Sequence, residues 1–174
     1  MKIPERLNDF RVYDGEDASV LLGMADVTMP TISAMTETIS GAGFAGEINS
    51  VVQGHFSSMQ LTINWNSVTD KQMKLAAPEK HVIDVRGALE GWDNTTGKKV
   101  ITPVRVFVEG VPTETAIGTY GKAQATGGTT VLELTYIKVQ LDGTDVIEID
   151  KYNYVCKVNG EDKLSDVRKA LGMA

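Results

Sequence analysis

Short runs in which apolar and polar residues alternate, separated by glycine-containing turns, are the feature that most restricts how this chain can fold. The clearest run begins at Met59. One parity of it carries Leu61, Ile63 and Trp65, and threonine and asparagine fill the other parity. A period of two places one parity on an apolar core and the other toward solvent. With 17 glycines lying mostly between the apolar runs, the pattern predicts an antiparallel, mainly β protein.

The same pattern predicts six to eight strands in all. The alternation changes parity near Tyr136, which predicts a bulge or a bend at that point. Asp142-Gly143 is a hairpin signal between two of the runs. The other predicted strands cover 10–13, 20–29, 83–90, 104–109, 131–141, 146–150 and 152–158.

Two short helices complete the predicted architecture. Thr69 and Gln72 form a capping-box pattern ahead of residues 73–77, which predicts about two helical turns. Residues 162–171 place Leu164, Val167 and Leu171 on one helical face, and Gly172 follows where a glycine cap is favoured. We expect one domain over residues 1–174, a β-barrel or sandwich with the C-terminal helix packed on it.

Residues 31–54, here called the arm, do not fit this pattern of short strands joined by turns. The arm carries four glycines and isolated large apolar residues without a sustained period. It is also too long for an ordinary connection in a compact domain. Two interpretations remain open: a mobile surface loop, or an extended arm whose apolar residues become buried against a neighbouring subunit.

Charge and hydropathy exclude several classes of protein. The formal net charge is −6, with 23 acidic and 17 basic residues, so the basic face that grips phosphate is missing. No stretch is long and apolar enough for a membrane span, and the N-terminus lacks the apolar core of a signal peptide. The one cysteine, Cys156, is expected to be a buried apolar residue, and the chain is expected to fold in a cytoplasm.

No motif asks for an enzyme, a cofactor or a metal. Gly41, Gly43 and Gly46 match a dinucleotide fingerprint as letters, but no helical pattern follows them. His55 and His81, the only histidines, have no partner at metal-binding spacing. The acidic residues of 142–150 lack a calcium-loop pattern and are expected on solvated turns and strand faces.

Long phrases of the sequence, rather than a short motif, resemble the major tail tube protein of contractile-tailed phages and R-type tailocins. The resemblance runs in order over nearly the whole chain and is weakest over residues 93–128. It is carried by MKIPERLNDFRVY, LLGMADVTMPTISAMTETISGAGFAGEI, GHFSSMQLTINW and EIDKYNYVCKVNGEDKLSDVRKALG.

The resemblance implies a structural subunit that forms hexameric rings, stacked into a tube inside a contractile sheath. It implies sheath, baseplate and tape-measure proteins as partners, and DNA that passes without specific binding. The protein would be assembled in the bacterial host cytoplasm and then reside in a virion or tailocin tail. The alternatives are the tube of a bacterial contractile injection or secretion apparatus, a small-molecule-binding β-barrel carrier, and a hydrolase with a site assembled across strands.

Two sets of residues are the candidates for tube function. The first set comprises apolar residues of the arm that stacking would anchor on a neighbour: Ile32, Met35, Ile39, Phe44 and Ile48. The second set comprises acids on the polar parity of predicted strands, which would face the lumen: Glu90, Glu109, Glu133 and Glu148. An intramolecular core role for the first set and an outer solvated face for the second remain open.

Overall fold

The computed structural model describes residues 2–18 and 20–173, which form twelve β-strands and two short α-helices. The strands are β1 (Lys2–Asp14), β2 (Leu21–Gly23), β3 (Ala25–Thr28), β4 (Ala34–Ser40), β5 (Glu47–Phe56), β6 (Gln60–Trp65), β7 (His81–Asp93), β8 (Lys98–Ala116), β9 (Gly128–Leu141), β10 (Thr144–Asp150), β11 (Val155–Val158) and β12 (Glu161–Asp162). The helices are α1 (Asp70–Lys74) and α2 (Ser165–Ala170).

Backbone pairing closes the main sheet into a barrel. β1 pairs with β7, β7 with β8, β8 with β9 and β9 with β6, all antiparallel. β6 then pairs with β3, which is joined through Met24 to β2, and β2 returns to β1. Residues 21–28 therefore close the wall. The mainly β, antiparallel fold that the alternation predicts is confirmed.

The parity change predicted near Tyr136 is a β-bulge in β9. Glu109 pairs with Tyr136 while the next residue, Gly110, pairs with Leu134, so Thr135 is the extra residue. Leu134 and Ile137 are both buried, which places the core face on even residues before the bulge and on an odd residue after it. Beyond the bulge, β9 exchanges its neighbour β6 for β10, which begins the extension β10–β11–β12.

The barrel interior is filled by apolar side chains. Trp65 is its largest member, and the indole Nε1–H donates a hydrogen bond of 2.9 Å to the hydroxyl of buried Thr130. Gly23 faces this indole. A Cβ at that position would stand 3.4 Å from two ring carbons, an ordinary contact distance, so the backbone φ of +156° rather than the space favours glycine here. The fully buried Met59, Leu61, Ile63, Ile83, Val108, Leu132 and Leu134 complete the centre of the core.

Several element boundaries differ from the sequence prediction. The first strand spans Lys2–Asp14 rather than 10–13. Its first part escapes a period-two search because Pro4 and two register shifts against β7 interrupt the alternation. The last predicted strand keeps only Val155–Val158, since Tyr154 takes a left-handed turn conformation with φ +52°.

Both helices lie close to their predicted positions but are shorter. Thr69 caps α1, its hydroxyl accepting a hydrogen bond of 3.1 Å from the backbone N–H of Gln72, as the capping-box pattern predicts. α2 begins at Ser165 because the Asp162 carboxylate accepts the backbone N–H of Leu164 at 3.0 Å and holds that segment in a turn. Gly172 follows α2 with φ +69°, the left-handed conformation of a C-terminal glycine cap.

Truncating the barrel core should measurably destabilise the fold. We expect Leu132→Ala to lower the free energy of unfolding by about 2–5 kcal/mol, because it removes buried methyl groups and leaves a cavity. Urea unfolding followed by tryptophan fluorescence measures the change. Ile117→Ala is the control, since Ile117 is 52% exposed and should change the value by less than about 0.5 kcal/mol. Equal effects of the two substitutions would contradict this assignment of the core.

Candidate functional site

The arm is a regular β-hairpin. β4 and β5 form a two-stranded sheet of their own, separate from the ten-stranded sheet of the body. Ile39 pairs with Ile48, and Thr38 pairs with Asn49. The arm therefore forms paired strands although its sequence shows no sustained period of two. The period is hidden because a register shift near Thr36 interrupts it, because Glu37 shares the face of Ile39, and because Val51 pairs with Thr36 on the opposite face.

One face of the hairpin, here called the apolar face, carries most of its large apolar residues together with Glu37 and Ser50, and the other face is mainly polar but includes Val51. Residues paired across antiparallel strands share a face, as do residues two apart along a strand. Met35, Ile39 and Ile48 therefore share one face, and they are 49%, 43% and 52% exposed. On the other face, the Thr38 hydroxyl donates a hydrogen bond of 2.7 Å to the Asn49 side-chain oxygen.

The remaining two anchor candidates lie at the ends of the hairpin. Ile32 precedes β4, and Phe44 lies in the turn between β4 and β5 with its N–H donating to Gly41 O at 3.2 Å. Both side chains are exposed. The glycines of the apparent dinucleotide fingerprint belong to this same turn, which leads into a strand. The fingerprint needs a helix at that point, so this match does not indicate a dinucleotide-binding site.

The root of the hairpin is fixed to the body. Gly54 has φ +69°, and a Cβ there would lie 2.3 Å from a methyl carbon of buried Leu164, so the position requires glycine. The Gln53 side-chain amide donates to Lys163 O at 2.6 Å. The His55 ring packs edge-on against Tyr154, with ring centroids 6.1 Å apart. The arm thus has a defined origin.

An exposed apolar hairpin needs a cover. An isolated two-stranded hairpin is at best marginally stable in water, and contiguous exposed apolar side chains mark interaction surfaces. All seven residues of β4 are exposed, as are most of β5. That these side chains become buried against another molecule stays a prediction.

Among the candidate lumen acids, Glu90 is the most constrained. Its carboxylate accepts hydrogen bonds from Lys99, from Asn8 at 2.9 Å and from Arg6 at 3.4 Å. The hydrogen bonds from Lys99 and then Asn8 lower the pKa of Glu90 to about 2. The residue is only 7% exposed, so in the isolated chain Glu90 is an enclosed ion-pair partner rather than a solvated acid.

The other three candidate acids are also paired with lysines. Lys80 bonds Glu109 at 3.0 Å, Lys151 approaches Glu133 at 3.5 Å and Lys157 bonds Glu148 at 3.0 Å. Burial would raise the pKa of Glu133, but hydrogen bonds from the Ser58 hydroxyl and the Met59 N–H outweigh it and lower the pKa. Whether these acids face a lumen stays a prediction, and each is already locally neutralised.

Sequence reasoning missed an ion cluster on the outer face of the barrel. Asp84 is completely buried and accepts two hydrogen bonds of 2.8 Å from Arg105, one on each carboxylate oxygen. Arg86 donates a third at 2.8 Å, and its guanidinium lies 4.7 Å from the ring centre of Tyr13. Asp84, Arg86 and Arg105 share the outer parity of β7 and β8. Charged residues at alternate positions of these two strands were the sequence signal that could have predicted the cluster.

Two absences concern the described residues only. No helix within 2–18 and 20–173 has the length and apolarity to cross a membrane. No group of three or more His, Cys, Asp or Glu side chains in these ranges is arranged to hold a metal ion.

Comparison with known proteins gives the class and the family. Residues 4–172 match the family model of the phage tail tube protein FII. The tail tube protein of Escherichia phage P2 is 27% identical over 151 residues, which cover 84% of this chain and 86% of the phage protein. The chain therefore belongs to the phage tail tube protein family and is a structural protein rather than an enzyme.

Two solved structures share the fold. One is from the sheath-tube complex of an extracellular contractile injection system, PVC, in its extended state, with a TM-score of 0.54 and 17% identity; the match covers 79% of this chain and 91% of that one. The other is from the sheath/tube terminator of the same system, with a TM-score of 0.53 and 16% identity over 79% and 96% of the two chains.

The hydrogen-bonded Glu90 carboxylate should make the free energy of unfolding depend on pH. Because the pKa of Glu90 is about 2 in the folded chain, below the ordinary value of 4.5, its contribution is complete above about pH 4.5 and is lost as pH falls toward 2. We expect Glu90→Gln to destabilise the protein at pH 7 and to differ less from the unmodified chain at low pH. Urea unfolding from pH 7 to pH 3 measures this, with exposed Glu114→Gln as the control. A Glu90→Gln deficit that does not change with pH would contradict the assignment.

Proposed function

We propose that this protein is the subunit of an inner tail tube, assembled as hexameric rings that stack inside a contractile sheath. The observation that carries the proposal is the hairpin arm, which presents an ordered apolar face to solvent. Membership in a tail tube family supports the tube, and structural likeness to chains of a sheath-tube complex supports a sheath as partner. Baseplate and tape-measure proteins are further proposed partners, and the tail of a phage or tailocin is the site of action.

The barrel supports a structural role rather than a carrier role. A carrier needs a cavity lined for its ligand. Here Trp65, Leu61, Ile63 and Leu132 fill the interior and are buried to 2% exposure or less. The filled barrel is therefore a packed body from which the arm projects. Such a body suits a subunit of stacked rings.

The charge of the chain supports passage of DNA without adhesion. Six copies of a chain at −6 carry −36 per ring, which opposes binding to phosphate. Because the four candidate lumen acids are paired with lysines, most of that repulsion comes from other acids. Cryo-electron microscopy of assembled tubes would show directly which face lines the bore.

A tube that carries no genome is the second candidate function. Both structural neighbours belong to an extracellular contractile injection system. Such a tube has the same ring and stacking requirements, so the subunit structure supports either use. Neighbouring genes for capsid and terminase would favour the phage tail.

Assembly should depend on the apolar face of the arm and not on its polar face. We expect the double substitution Ile39→Lys/Ile48→Lys to abolish tubes, because it places two charges on a face that stacking would bury. Negative-stain electron microscopy of the concentrated protein measures assembly. Circular dichroism should show a folded β protein, since both side chains are exposed in the single chain.

The matched control is Thr38→Lys/Asn49→Lys, which puts the same charges on the neighbouring cross-strand pair of the opposite face. This variant should still form tubes. Tubes from the Ile39/Ile48 variant, or loss of tubes in both variants, would contradict the assigned role of the apolar face. Rings with a symmetry other than sixfold would contradict the hexamer.

A further inference from the structure

Three strands of the barrel wall extend beyond the rest of it. β9 begins to pair with β8 only at Val104, so residues 98–103 of β8 have β7 as their one strand neighbour. β1 meets β2 only at Val12 and Tyr13, so its first residues likewise pair with β7 alone. We call this three-stranded extension, residues 2–7, 88–93 and 98–103, the overhang.

The inner face of the overhang continues the apolar core but is uncovered. β7 and β8 pair without a register shift, so the parity that places Ile83 and Val85 in the core also places Leu89 and Gly91 on the same face. Across from them, Thr102 and Val100 continue the parity of Val106 and Val108. The apolar face of the core therefore continues beyond the closed part of the barrel, where no further strand covers it.

This face forms a shallow apolar groove of about 220 Å³. Gly91 lies at the bottom of the groove and leaves no room for a side chain, because a Cβ there would lie 2.7 Å from Ile3 O. Leu141, 37% exposed, stands at the margin of the groove. The lining also includes Lys2, Ile3, Pro4, Leu89, Glu90, Val100 and Thr102, none of which belongs to the arm.

The arm and the groove are complementary in chemistry. The apolar face of the hairpin offers Met35, Ile39 and Ile48, and the groove offers Leu89, Val100 and Leu141. Residues 31–54 contain two acids, Glu37 and Glu47, and no lysine or arginine. The overhang has four basic and three acidic residues in a chain that is acidic overall: Lys2, Arg6, Lys98 and Lys99 against Glu5, Glu90 and Asp93. Arg6 and Lys99 contact Glu90 within the chain.

The two surfaces lie apart on the molecule. Five residues after the arm, the chain reaches β9 at Met59, whose O accepts a hydrogen bond of 2.8 Å from Leu134 N–H. The groove adjoins Leu141, seven residues further along β9, which is up to about 23 Å at the rise of a strand. A contact between two different surfaces of identical chains is head-to-tail, so it closes into rings or continues as a stack.

From these observations we infer that the apolar face of one subunit's arm docks into the overhang groove of another copy of this chain. The inference rests on the proposed tube function and adds the surface that receives the arm. Docking would cover the hairpin face and the exposed end of the core in one contact. Each copy would give one arm and receive one.

Thiol cross-linking between two single-site variants tests the contact. Ile39→Cys protein is mixed with Leu141→Cys protein, allowed to assemble, and treated with a short thiol-to-thiol cross-linker. We expect a covalent dimer that appears only in the mixture. Ile48→Cys repeats the test from the other strand of the hairpin, so one unfavourable geometry does not decide the result. The unmodified chain, whose one cysteine is buried, sets the background.

Two matched mixtures use the opposite faces. Thr38→Cys with Leu141→Cys turns the thiol to the polar face of the arm, and Ile39→Cys with Ile101→Cys places the second thiol on the outer face of the overhang in β8, since Ile101 pairs with Glu90. Neither should give the dimer. Tubes that form without a cross-link in either docking pair, or equal cross-linking in all mixtures, would overturn the groove assignment and leave the tube intact. Absence of both tubes and dimers would overturn the groove and the proposed function together.

Discussion

The filling of the barrel by its own side chains is the constraint on which the other features depend. Each wall strand gives one face to a core that includes Trp65, Leu61 and Leu132, and residues 21–28 close that core by passing over Trp65 at Gly23. A filled barrel has no room for a ligand. The apolar residues of the arm lie outside this core and stay exposed in the single chain.

The buried carboxylates on the outer face of the barrel are paired with polar and basic side chains of neighbouring strands. Buried Asp84 is held by Arg86 and Arg105, and Glu90 by Lys99 and Asn8. Burying a carboxylate is tolerated only when its charge is compensated and its oxygens are hydrogen-bonded. These clusters link side chains of β7 and β8, the strands that carry the overhang.

Much of the fold was predictable from local pattern. Period-two alternation located β6 and the core parity of β7 and β8, and the parity change near Tyr136 located the bulge that redirects β9. The pattern failed at β1, where Pro4 and register shifts disturb the alternation, and in the arm, where it is short and interrupted. The anchor candidates were chosen by hydrophobicity alone, and only pairing showed that Met35, Ile39 and Ile48 share a face.

The sequence by itself determined the β class, the positions of the main turns and helices, and, through long matching phrases, the tail tube family. Those properties depend on neighbours in the chain, since side-chain period and turn chemistry are local. Tertiary structure decided the closure through Met24, the enclosure of Glu90 and the groove beside Leu141. Each of these arises when strands distant in sequence become neighbours, and pairing partners across a sheet are set by the packing of the whole core rather than by any one strand.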